Sequence, residues 1–230
     1  MGDTNRQLLL SAARLLRPLL EELVFVGGCA TGLLVTDQAA PSIRATIDVD
    51  TIAEITSYLE NVQFGERLRN LGFTEDASEG APLCRWRHGA VILDVMPLDQ
   101  EILGFSNRWY REAMHAATVL TLEPSLQIRS ITAPFFLATK LEAFKGRGGR
   151  DYFASHDLED VISVIDGRPE LLEEVRATSD DLRAFLAREF DSLLRDSRFI
   201  DALPGHLPPD TASQSRIPML MNRIEDLARR

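Results

Sequence analysis

Only two cysteines occur among the 230 residues, Cys29 and Cys84. They are too few for a disulfide framework, so both thiols are expected to be reduced in a cytoplasmic setting. Long apolar runs are missing as well. None approaches the roughly 18 residues of a membrane-spanning helix, and no membrane partner is expected. The first residues, Met1-Gly-Asp-Thr-Asn-Arg6, lack the apolar centre and small-residue cleavage site of a secretory signal. Positive charge is in deficit, with 25 Lys and Arg against 35 Asp and Glu and a formal net charge of −10. An even negative coat repels polyanions and argues against general nucleic-acid binding. A local basic groove stays compatible, because Lys140, Lys145, Arg147 and Arg150 stand against one acid, Glu142. His88 and His156 have no metal-ligand spacing to each other or to a cysteine, so zinc is not expected. Repeats and low-complexity tracts are absent. Apolar material is plentiful, at 45% of residues, enough for one large domain or two small ones.

Periodicity divides the chain in two. Leu8, Leu9, Ala12, Leu15, Leu16 and Leu19 recur at helical spacing across Asn5 to Glu22, with Thr4 as N-cap and a kink at Pro18. Leu23-Val-Phe-Val26 reads as a short buried strand ending at Gly27-Gly28. A helix from about Cys29 to Val35 and a loop from Thr36 to Arg44 follow. Ala45 to Ile52 alternates as a strand, and Glu54 to Leu71 is helical, closed by Gly72. Leu83 to Arg87 and Ala90 to Met96 form a hairpin around His88-Gly89. A short helix at Trp109 to Met114 precedes a strand pair, Thr118 to Leu122 and Leu126 to Ile131. Beyond Ile131 only helices are expected: Thr132 to Phe144, His156 to Ile165, Pro169 to Val175, Ser179 to Leu194 and Thr211 to Arg229. Lys145 to Arg150 is a loop between the first two. The expected class is α+β, a mixed sheet flanked by helices over residues 1–131 followed by a helical domain over 132–230.

Chemistry concentrates in three acids. Asp48-Val-Asp50 places two carboxylates on one face of a strand, about 7 Å apart along it. Asp94 interrupts the apolar strand Val91-Ile-Leu-Asp-Val-Met96, where a carboxylate is costly unless it is paired, hydrogen-bonded or metal-bound. Three such groups on neighbouring strands are hard oxygen donors suited to Mg²⁺, and two ions can clamp an in-line displacement at phosphorus. The plainer readings are a solvated Asp-x-Asp at a strand end and, for Asp94, an edge residue or the buried partner of an arginine. Gly27-Gly28 between a strand and a helix start lets phosphate approach backbone N–H groups, or is simply a tight turn.

Val26-Gly27-Gly28, Thr46-Ile-Asp48-Val-Asp50 and Ile92-Leu-Asp94-Val together resemble the DNA polymerase β-like nucleotidyltransferases. Val-Gly-Gly-Cys-Ala-Thr31 and Arg44-Ala-Thr-Ile-Asp-Val-Asp50 look like the branch that contains AbiEii-type toxins. The resemblance covers roughly residues 23 to 166. It implies a nucleotidyltransferase-like sheet and transfer of a nucleoside monophosphate from an NTP to a hydroxyl. The implied acceptor is a tRNA 3′ end, a protein or a small molecule, and the resemblance extends to the toxin of a toxin–antitoxin pair, with a cognate antitoxin as partner. It implies that Asp48 and Asp50 bridge two Mg²⁺ ions (or Mn²⁺) to the triphosphate and that Asp94 holds the ion at the acceptor hydroxyl. Lys140 contacts the triphosphate and Asp157 orients Lys140 or the substrate; the ordinary alternatives are a solvated lysine and a helix N-terminal acid. Arg147 and Arg150 either grip an acceptor phosphate or sit in a solvated loop. The 19 residues between Gly28 and Asp48 exceed the family spacing and require an inserted loop at Gln38 to Ser42. Gly28 stands where some members have Ser, leaving a phosphate hydroxyl to Thr31 or to backbone alone. A catalytically weak nucleotide-binding module or regulatory partner is the second reading, and a phosphodiester hydrolase a distant third.

Overall fold

The structure, a computed structural model, describes residues 4–147 and 151–229. The chain separates into two compact units, Met1–Ala30 with Ala45–Thr132 and Thr31–Arg44 with Ala133–Arg230. The segment Thr31–Arg44, placed with the first part by sequence, belongs with the C-terminal helices.

In the first unit, α1 (Thr4–Leu15) buries Leu9, Ala12 and Ala13 and ends well before the expected Glu22. A 3₁₀ turn, Arg17–Leu19, replaces its last part, because Pro18 has no N–H to donate and its ring crowds the carbonyl four residues back. The wholly buried β1 (Leu23–Val26) runs directly into α2 (Gly27–Leu34), which begins two residues earlier than expected. Then come β2 (Asp48–Ala53) and α3 (Tyr58–Asn70). Ser57 fixes the start of α3 by accepting the Glu60 N–H, so the helix begins later than Glu54. β3 (Thr74–Glu75) and α4 (Gln100–Leu103), neither anticipated, bracket β4 (Arg85–His88) and β5 (Val91–Pro97). After α5 (Tyr110–His115), β6 (Thr118–Glu123) and β7 (Leu126–Ser130) complete one seven-stranded sheet of order β3-β4-β5-β2-β1-β7-β6. β2 pairs with β5, and β1 with β7, in parallel, while the other pairs are antiparallel. The sheet is therefore mixed, and α1 packs on β2, β5 and β7.

The second unit is helical. α6 (Ala133–Gly146) continues through Lys145 and Gly146, which the sequence places in a loop; Arg150 lies outside the described residues. α7 (His156–Gly167), α8 (Leu171–Arg176) and α9 (Asp180–Leu194) follow, then an unexpected α10 (Ser197–Ala202). The single helix expected from Thr211 to Arg229 is two, α11 (Thr211–Gln214) and α12 (Ile217–Ala228), with Pro218 admitted only in the first turn of the latter. α6 and α12 each pack against α7 and α9.

The inserted segment is tied to this unit through its backbone. The N–H groups of Thr36 and Asp37 both donate to the Gly167 carbonyl, at 2.8 and 2.9 Å. Arg168 Nη1 donates to the Leu34 carbonyl at 2.7 Å, and the Thr36 hydroxyl to Glu170 at 2.8 Å. No described helix is long and apolar enough to cross a membrane.

Candidate active site

Within the first unit the sheet brings the three predicted acids onto adjacent strands. Asp50 of β2 and Asp94 of β5 are Cα partners in the parallel pair, so their side chains project to the same face one strand apart. Asp48 lies two residues along β2 on that face. Val49 and Thr51, which alternate with the acids, are buried on the other, and the Thr51 hydroxyl donates to the Asp94 carbonyl at 3.1 Å. Asp48 accepts from the Thr46 hydroxyl at 2.8 Å, and the Thr46 N–H donates to the buried Asn5 at 2.9 Å.

Gly27 closes this face at the end of β1. Its φ of +66° is a left-handed conformation that side chains rarely adopt. A Cβ built on it would lie 1.9 Å from Asp50 Oδ2 and 2.7 Å from Asp50 Cβ. Glycine is therefore required twice, for the turn and for the approach of Asp50. The Asp50 carboxylate thus lies against the first residue of α2, the end where a helix favours negative charge. Gly28 is buried.

Arg85 was not anticipated. The hairpin pairs His88 with Val91 and hence Arg85 with Asp94, so this guanidinium joins the acid face from β4. Its Nε and Nη2 donate to the two Asp94 oxygens at 2.8 and 2.7 Å, a bidentate fork. The same Nη2 reaches Asp48 Oδ2 at 2.8 Å. Asp94 is thus the buried partner of an arginine, only 6% exposed. Hydrogen bonding to Asp94, opposed by burial, holds the guanidinium above its ordinary pKa. A turn at His88-Gly89, as the sequence suggests, would set Arg85 opposite Ile92; the turn lies one residue later, at Gly89-Ala90, and that shift brings Arg85 opposite Asp94.

The three carboxylates suit Mg²⁺ in donor kind. Among the described residues, however, no group of three or more His, Cys, Asp or Glu stands arranged to hold an ion. Asp48 and Asp94 would hold an ion through their carboxylate oxygens, and Arg85 Nη2 engages one oxygen of each. The residues fit the metal chemically, with Arg85 engaged in its stead.

Cys84 immediately precedes Arg85, and its carbonyl accepts from the Val95 N–H at 2.9 Å. Burial, with the Asp94 charge adding to it, pushes its thiol up to about 12. Cys29 is also buried. Folded protein at pH 8 should release no fast thionitrobenzoate from Ellman's reagent, and protein in guanidinium should release two equivalents. One fast equivalent from folded protein would show that a thiol is open to solvent.

In the second unit, Lys140 of α6 is no solvated lysine. Its Nζ lies 3.2 Å from Asp157 and 2.7 Å from Asp160, both buried on α7. Asp157 sits in the first turn of α7, capped by Ser155, and also accepts from Arg147 Nη1 at 3.0 Å. Asp160, given no role from sequence, is the nearer partner of Lys140; the Asp157-x-x-Asp160 spacing on one helix face was the available signal. Arg44 approaches Asp160 at 3.4 Å. Thr31, proposed as a phosphate hydroxyl, is 1% exposed, and its Oγ1 has no hydrogen-bond partner among the described residues.

No protein-family model matches the chain, and no curated protein does. Solved structures do. One is an antigenic nucleotidyltransferase-like protein from Paracoccidioides brasiliensis, 20% identical over 89% of this chain and 94% of that one, with a TM-score of 0.49. JHP933 from Helicobacter pylori is 13% identical over 95% and 88%, with a TM-score of 0.44. A further H. pylori protein, provisionally described as a nucleotidyltransferase, is 13% identical over 95% and 91%, with a TM-score of 0.45.

Proposed function

We propose that the chain is a metal-dependent nucleotidyltransferase whose site is the acid face of the first unit. The observation that carries this reading is the pairing of Asp50 with Asp94 on parallel strands, with Gly27 backed directly onto Asp50. Mg²⁺, as two ions or with Mn²⁺ in its place, supplies charge neutralisation at the triphosphate and acidifies the acceptor hydroxyl when bound. Asp48 and Asp50 would hold the ions that neutralise the triphosphate, and Asp94 would take the proton of the acceptor hydroxyl at a carboxylate oxygen. The new bond joins the acceptor oxygen to the α-phosphorus, the α–β anhydride bond breaks, and pyrophosphate leaves.

The finer assignment, to AbiEii-type toxins with a tRNA 3′ acceptor and a cognate antitoxin, rests on the segments Val26 to Thr31 and Arg44 to Asp50 alone. The contribution of Lys140 and Asp157 to triphosphate binding rests on the similar placement of Phe136 to Phe144 and Ser155 to Asp160 in that branch. The negative net charge favours a small or locally docked acceptor over a long nucleic acid.

The test is incubation with each α-³²P-labelled NTP, Mg²⁺ and a pool of RNA and lysate acceptors. Labelled RNA or protein is expected, with the signal falling at least about 10³-fold in Asp48→Ala/Asp50→Ala. Equal labelling by that double variant would remove the acid face from the reaction. The second reading, a nucleotide-binding module without turnover, is favoured by the Arg85 fork on Asp94. It predicts NTP binding with no label transferred to any acceptor.

A further inference from the structure

We infer that Arg85 is a positioning residue that competes with a divalent cation for the carboxylate oxygens of Asp48 and Asp94. The inference rests on the metal-holding reading of the acids. Three features of the first unit lead to it. One nitrogen, Nη2, bonds both carboxylates at once, at 2.8 Å to Asp48 and 2.7 Å to Asp94. A cation held by both acids would compete for these same oxygens. The fork is then anchored by Nε on the second Asp94 oxygen, so both oxygens of that carboxylate are committed. Lastly, the side chains of Arg85 and Asp94 are only 18% and 8% exposed, where water screens a charge pair weakly.

A bidentate arginine does two things at such a site. It holds the two carboxylates together, sparing their mutual repulsion while no ion is present. It also sets a threshold for the ion, which gains the carboxylates only by displacing a charge-assisted fork. Arg85 is the first residue of β4, at the end of the strand away from the hairpin turn, and rotation about its own side-chain torsions would take it off Asp94 without breaking the β4–β5 pairing. The carboxylates are then left to a harder, doubly charged cation.

Free Mn²⁺, counted by its six-line EPR signal in titrations of the full chain, tests this without reference to turnover. Arg85→Met is expected to bind Mn²⁺ at least about ten-fold more tightly than the wild type, and Arg85→Lys to fall between them. Asp50→Asn should weaken binding in every background. A role in folding alone predicts the opposite sign, since a loosened site binds less well. Thermal melting in EDTA and in Mn²⁺ supplies a second readout: Arg85→Met should melt lower in EDTA and gain more from Mn²⁺ than the wild type does. If Arg85→Met fails to fold, Arg85→Lys must still bind Mn²⁺ more tightly than the wild type. Equal or weaker binding by the folded variants overturns the competition and leaves the metal reading standing. No Mn²⁺ binding by any form overturns both.

Discussion

Gly27→Ala is expected to lower the melting temperature by roughly 6–12 °C and to abolish metal-dependent transfer. Two costs combine. An alanine held at φ +66° costs about 1–2 kcal/mol against glycine. The added methyl also meets Asp50 at Oδ2, Cγ and Cβ, all closer than 3.0 Å, and the last of these is tied to the β2 backbone. Rotating the carboxylate clears two of the three clashes; the remaining one needs a shift between β1 and β2. In a chain of this size each kcal/mol corresponds to about 2–4 °C. Gly80→Ala is the internal control. Gly80 has a φ of +80° and no atom within 4 Å of a built Cβ, so it carries the conformational cost without the collision. It should cost only roughly 2–8 °C, less than Gly27→Ala, and leave transfer intact. Equal melting of the two variants would mean that Asp50 is not pinned against the turn.

The same geometry marks how far the sequence could be read. Period-two alternation and an Asp-x-Asp pair placed β2 and its acids, and the apolar run around Asp94 placed β5, because both signals are local. What the pattern could not carry was partnership. Asp94 in an apolar strand announces that something must satisfy it, yet metal and arginine satisfy it equally well on paper. Only the register, set by a turn at Gly89-Ala90 rather than at His88-Gly89, pairs Arg85 with Asp94 and decides which partner is present. Helix ends failed for a related reason. Pro18 and Ser57 each fix a boundary by one steric or capping contact that periodicity does not see. The segment from Thr31 to Arg44 was legible as an excess of residues but not as a clasp, since its partners are about 130 residues away or more.

That clasp is the second site where a large effect is expected, and its centre is Arg216. Its Nε lies 2.9 and 2.8 Å from the two oxygens of Asp166, and its Nη2 lies 2.7 Å from Asp37. Asp166 is 1% exposed, so its charge has no recourse to water. Hydrogen bonding from Arg216, with the Ala39 N–H assisting, holds the Asp37 carboxyl below its ordinary pKa. Arg216→Met removes the cation and leaves a buried carboxylate behind, for which the expected loss is about 3–5 kcal/mol. Denaturant melts of the full chain measure that loss. Trypsin cleavage after Arg44 should also accelerate, because Asp37 and the backbone around it lose their anchor. The cost belongs to the abandoned charge rather than to missing contacts, and a second substitution separates the two. Arg216→Met/Asp166→Leu should recover at least half of the lost stability, since removing both partners of a buried pair is far milder than removing one. Asp37 can stay ionised there, its side chain being 24% exposed. If Arg216→Met costs less than about 1 kcal/mol, water reaches Asp166 and the clasp is open. If the double variant is no better than the single one, the stabilisation lies in packing of the arginine stem instead.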